Sequence, residues 1–126
     1  MNQFSLKKQE RLSSRSVIGS LFSEGRSFFI FPVKVVYRIL PLDTPVPAQA
    51  AFSVSKKIFK RAVKRNLIKR RMREAYRLNK GGLYNALGDE KKLAVMFIYV
   101  GKEVKDYEVI EKSLKKALSR LAGLVR

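Results

Sequence analysis

A chain of 126 residues, 46% of them apolar, has the length and composition for one domain around a single core. Its 28 basic and 10 acidic residues leave a formal net charge of +18, which strains a compact state by self-repulsion and makes nucleic acid the leading partner class. With no histidine and no cysteine, the commonest general base, thiolate metal ligands and disulfides are all missing, so the chain reads as a binder without a self-sufficient active site.

Residues 1–12 read as an irregular basic arm without the apolar region of a secretory signal. No apolar run approaches the roughly 20 residues that span a bilayer, so a cytoplasmic protein with no membrane partner is expected. "SSRSVIGSLFSEG" follows as a helix, with Ser13 or Ser14 as N-cap, Gly25 as its stop, and Val17, Ile18, Leu21 and Phe22 on one apolar stripe. On that stripe Phe22 suits core packing, with base stacking as the other reading.

"SFFIFPVKVVYRIL" is β-branched and aromatic and reads as strand, broken or bent at Pro32. Beyond the proline, Val33, Val35, Tyr37 and Ile39 point one way, and Lys34, Val36, Arg38 and Leu40 point the other. The second face mixes basic and apolar groups, as a groove for a nucleic-acid backbone would, and as an ordinary solvent-facing strand also would. "PLDTPVPAQ" is a loop, and "AAFSVSKK" is a further strand expected antiparallel to the preceding one. A long basic helix covers residues 60–79 and is stopped at Asn79-Lys80-Gly81-Gly82. "LYNALGDEKK" reads as a loop or short helical turn. "LAVMFIYVG" is continuously apolar, the pattern of a central strand covered on both sides. A last helix over 106–122 starts at Asp106 and turns Val109, Ile110, Leu114, Ala117, Leu118 and Leu121 inward. The acids are scattered and no metal site is expected. The order αβββαβα points to one α+β domain over 1–126.

In "FKRAVKRNLIKRRMREAYR", residues 59–77, nine of nineteen residues are Lys or Arg and Glu74 alone is acidic. Ile68, Met72, Ala75 and Tyr76 share one helical face and form the core contact. Asn66, Lys69, Arg70, Arg73 and Arg77 lie about half a turn away, with Arg65 bordering the apolar stripe. A solvated face normally mixes signs, because opposite charges at i,i+4 stabilise a helix and like charges oppose it. A stripe without an acid suits phosphates, whose contacts release counterions, and arginine suits a two-pronged grip on phosphate oxygens.

At these residues the sequence resembles the bacterial ribonuclease P protein component. The family carries a strand ending in a Ser-Lys-Lys-like turn and then a helix with an "RNRxKR"-type signature. Here these are Val54-Ser55-Lys56-Lys57 and Arg65-Asn66-Leu67-Ile68-Lys69-Arg70, and "LKKQERLSSRSVIGSLFSEG" is similar to the family's N-terminal region. The resemblance implies a four-stranded α+β sandwich with an uncommon left-handed βαβ crossover, which periodicity does not suggest. It also implies a protein subunit whose partner RNA performs the magnesium-dependent removal of the 5′ leader from precursor tRNA. No cofactor is implied for the protein by itself, which is expected to be monomeric. Arg65, Asn66, Lys69, Arg70, Arg73 and Arg77 would face the catalytic RNA. Phe22, Val35, Tyr37, Lys56 and Lys57, with Ile18 beside Phe22, would line a cleft for the leader.

The chain departs from the family pattern at Leu67, where an arginine is usual, at Ile18, where an aromatic is common, and by one extra residue before the basic helix. A ribosomal or other structural RNA-binding protein using the same helix is the competing reading, followed by a peripheral membrane protein with a basic amphipathic surface.

Overall fold

A computed structural model describes residues 6–126; the first part of the N-terminal arm, residues 1–5, lies outside the described residues. The elements run α1 (Arg15–Glu24), β1 (Arg26–Ile30), β2 (Val33–Ile39), β3 (Ala48–Val54), α2 (Ala62–Asn79), α3 (Gly81–Leu87), β4 (Leu93–Tyr99) and α4 (Tyr107–Val125). The strands form one four-stranded sheet in the order β1-β2-β4-β3. The α+β class and the size of the sheet agree with the expectation, and α3 is an addition to the expected element order.

β4 lies at the centre because both of its faces are apolar. Leu93, Val95, Phe97 and Tyr99 enter the larger core with α2, α3 and α4, whereas Ala94 and Met96 enter a smaller one beneath α1. That central place corrects the expected pairing of β3. It pairs with β4, in parallel from Ala48↔Leu93 to Val54↔Tyr99, and does not pair with β2. The 40–47 loop therefore passes β4, tied to it by Leu40 N–H on the Lys92 carbonyl and Leu93 N–H on the Pro47 carbonyl. The α2–α3 segment is the crossover between the two parallel neighbours.

Local chemistry accounts for the helix ends. Ser14 caps α1 by accepting from Val17 N–H at 3.3 Å. Gly25 is required by close approach, because a Cβ there would stand 2.3 Å from the Leu21 carbonyl oxygen and 3.1 Å from that of Tyr37. α2 ends at Asn79, as expected, but Gly81 and Gly82 do not lead into a loop. They open α3, whose Leu83 and Leu87 are buried, so packing outweighs the low helix propensity of glycine. In α4 the inward face is Ile110, Leu114, Ala117, Leu118, Leu121 and Val125, whereas Val109, expected inward, is exposed.

Residues 6–12 do not trail away from the domain. Leu12 N–H donates to the Ala50 carbonyl at 2.9 Å, and the Gln49 side chain donates to the Gln9 carbonyl at 3.0 Å. The segment thus covers part of the β3 edge, which would otherwise present an unpaired backbone. Glu10 is buried beside Lys80 and Tyr84, and Leu12 joins the core beneath α1.

Candidate nucleic-acid interface

Two surfaces carry the residues that the sequence singled out. The first is the outer side of α2. Burial of Ile68, Met72, Ala75 and Tyr76 against the sheet and α4 fixes the rotation of this helix. It leaves Asn66, Arg70 and Arg73 exposed in a row, with Lys69 half-buried at its margin. Among the described residues Lys69, Arg70 and Arg73 pair with no carboxylate. Arg73 lies with its guanidinium carbon 6.0 Å from the Phe52 ring centroid, a cation–π contact that steers it toward the β3 edge.

The other two arginines of the set have protein partners. Arg65 donates through Nη1 to the carbonyls of Phe59 at 2.7 Å and Lys60 at 2.8 Å, so it holds the segment leading into α2. Arg77 makes an ion pair with Glu74, with Nε also 3.3 Å from Oε2. The hydrogen bond from Arg77 holds the Glu74 carboxyl below the usual range, more than offsetting its slight desolvation. The stripe is therefore free of acid only from Asn66 to Arg73. Arg71, which the sequence did not single out, donates to the Lys105 carbonyl at 2.6 Å and ties α2 to the segment before α4.

The second surface is the sheet face that bears α1. Leu21 is buried there, and Val17 and Ile18 pack against Val36, Ala94 and Met96. α1 is tied to β2 by Arg38, whose Nη2 is 2.6 Å from Glu24 Oε2. Phe22 is 62% exposed and points away from the core, which removes its core-packing reading. Beyond the ground that α1 covers, a row of the sheet stays open. Lys34 is exposed, and Ile98 and Ser53 are half-buried, each opposite the next across neighbouring strands.

Val35 and Tyr37 do not belong to this surface. Val35 is completely buried in the larger core, and Tyr37 packs on the same side with its ring centroid 6.0 Å from that of Phe28. Since side chains alternate along a strand, an assignment one residue out moves every group to the opposite face. The residues of β2 on the α1 face are Lys34, Val36 and Arg38, the mixed basic and apolar set visible in the alternation. Lys56 and Lys57 are exposed in the turn after β3, where Ser55 Oγ accepts from Lys57 N–H at 3.2 Å. That turn leads into α2, so the two lysines stand at the junction of the surfaces.

Among the described residues no group of three or more His, Cys, Asp or Glu gathers closely enough to hold a metal ion, and no helix is long and apolar enough to cross a membrane. What the two surfaces offer is phosphate-binding charge, an exposed aromatic ring and apolar floor, which is the chemistry of single-stranded nucleic-acid binding.

Comparison with known proteins identifies the family and the fold. The family model described as Ribonuclease P matches residues 6–122. A protein of Porphyromonas gingivalis named ribonuclease P protein component is 42% identical over 123 residues, covering 97% of this chain and 90% of the relative. One from Chlorobium phaeobacteroides with the same name is 33% identical over 133 residues, covering 97% and 88%. Among solved structures, the RNase P protein of Thermotoga maritima superposes with a TM-score of 0.70 at 28% identity, over 88% of this chain and 96% of that one. The RNase P protein of Staphylococcus aureus, at 22% identity and a TM-score of 0.66, shares the fold.

Proposed function

The chain belongs to the ribonuclease P protein family, and on that premise we propose that its two surfaces divide the RNA between them. The outer side of α2, through Asn66, Lys69, Arg70 and Arg73, holds the catalytic RNA. Arg65 keeps the start of that helix in place, and Arg77, shared with Glu74, stands at the margin. The open sheet beside α1, with Lys34, Ile98 and Ser53, together with Phe22 of α1, takes the single-stranded 5′ leader of precursor tRNA, and Lys56 and Lys57 bridge the two.

The protein is thus the protein subunit of an endoribonuclease, and the hydrolysis is carried by the partner RNA. Membership of this family assigns the magnesium that the reaction requires to the RNA. The protein is a monomer before assembly and works in the cytoplasm.

The observation that carries the leader assignment is the exposure of Phe22 on α1 together with the exposed Lys34 on the sheet face that bears this helix. Stacking on one aromatic contributes about 1–3 kcal/mol per base. Phe22→Ala in the reconstituted holoenzyme is therefore expected to weaken precursor tRNA binding by that amount, and to leave leaderless tRNA binding and the melting temperature unchanged. An equal loss for both RNAs would show that Phe22 contacts something other than the leader.

A further inference from the structure

Two more phenylalanines are exposed where the fold has no use for them. Phe29 on β1 is 54% exposed and Phe31, in the turn to β2, is 59% exposed; neither belongs to either core. Burying such rings would stabilise the fold, and this hairpin forgoes that gain. Their ring centroids are 6.2 Å apart in an edge-to-face arrangement, so they form one aromatic pair.

The register places this pair. Phe29 is opposite Lys34, Lys34 is opposite Ile98, and Ile98 is opposite Ser53. These residues form one row across all four strands, on the face that bears α1. At about 4.8 Å between strands the row is roughly 14 Å long, and Phe29 is its end at the β1 edge. Phe31 continues the pair past the end of the sheet, beside Val100, Gly101, Lys102, Glu103 and Lys105. Glu103 is the acid of that group, and its Oε2 is 3.5 Å from Lys105 Nζ.

From this placement we infer that Phe29 and Phe31 form a second stacking platform, which takes a nucleobase of the 5′ leader at the β1 end of the cleft floor. The inference rests on the leader assignment made above and extends it to residues outside the recognised motifs. Aromatic faces beside lysines suit a base and its phosphate together. Continuity with the Lys34 row and the surplus of positive charge favour RNA over a protein partner at this edge.

The chain contains no tryptophan, so Phe29→Trp introduces a single indole that reports on its own surroundings. In the holoenzyme reconstituted with catalytic RNA, its fluorescence is expected to be quenched by precursor tRNA with a long leader. Mature tRNA should leave it unchanged. Phe29→Ala is expected to cost roughly 5- to 100-fold in affinity for long leaders and nothing for leaders truncated close to the cleavage site. Phe22→Trp, measured in parallel, separates the two ideas. Quenching at Phe22→Trp without quenching at Phe29→Trp would overturn the platform and leave the leader assignment standing. No response at either position in an assembled holoenzyme would overturn both. A change at Phe29→Trp on concentrating the protein without RNA, with none on adding leader, would identify a second copy of the chain as the occupant and also overturn the platform.

Discussion

Replacing Glu10 with alanine is expected to destabilise the protein by about 3–5 kcal/mol, the usual cost of removing one partner of a buried ion pair. Both partners are almost fully buried, at 3% exposure for Glu10 and 5% for Lys80, and Lys80 Nζ lies 2.5 Å from Glu10 Oε1. Tyr84 donates its hydroxyl to the same oxygen at 2.6 Å, and Lys7 N–H donates to the other at 2.7 Å. The alanine variant strips the Lys80 ammonium of this carboxylate and loosens the arm that covers the β3 edge. For a domain of this size the effect corresponds to a fall in melting temperature of roughly 10–20 °C.

Acid should reproduce part of this effect. Burial pushes the Glu10 carboxyl up, but the hydrogen bonds from Lys80, Tyr84 and Lys7 outweigh it and hold the group below the ordinary carboxylate range. A lowered folded value means that the contribution is complete above the ordinary carboxylate pKa and is lost as pH falls through the lower folded value. Thermal melts of wild type and Glu10→Gln across this acid range should therefore converge as pH falls. A gap that stayed constant into strong acid would show that the carboxylate's charge is not what stabilises the arm.

The second large effect concerns binding. Arg70→Ala combined with Arg73→Ala is expected to weaken association with the catalytic RNA by about 1.5–3 kcal/mol for each charged hydrogen bond removed. It should also flatten the dependence of log affinity on log salt by about 1.4–1.8, because each phosphate contact contributes about 0.7–0.9 to that slope. Both side chains are exposed, so circular dichroism and the melting temperature should stay close to wild type. Arg70→Ala by itself separates charge from packing, since Arg73 also touches the Phe52 ring. An unchanged slope in the double variant would place the catalytic RNA on another face.

What could be read from the sequence follows from the range of the interactions involved. The two sides of α2 were legible, because Ile68, Met72, Ala75 and Tyr76 recur at helical spacing between charges. The centre of the sheet was legible in the unbroken apolar run of β4. The parallel partner of β3 was not, because adjacency in sequence favours a hairpin and only the burial of β4 on both faces reverses that. The Glu10 latch was equally hidden, since its partner lies 70 residues away and a lone acid in a basic arm carries no local signal. At the proposed leader surface the alternation along β2 separated Lys34, Val36 and Arg38 from Val35 and Tyr37. It could not say which set faced α1, and the family resemblance selected the buried one. Phe29 and Phe31 resembled any aromatic strand, and their exposure follows only once β1 is an edge.

The central claim is that this chain assists an RNA catalyst without supplying reacting groups of its own. Its most direct test is cleavage of precursor tRNA by the catalytic RNA of the same organism at limiting magnesium, with and without the protein. The account predicts faster cleavage at the mature 5′ end when the protein is added, with a greater gain for leader-bearing substrates that reach the α1 cleft. No gain in rate or substrate affinity from a folded protein that binds the RNA would contradict it.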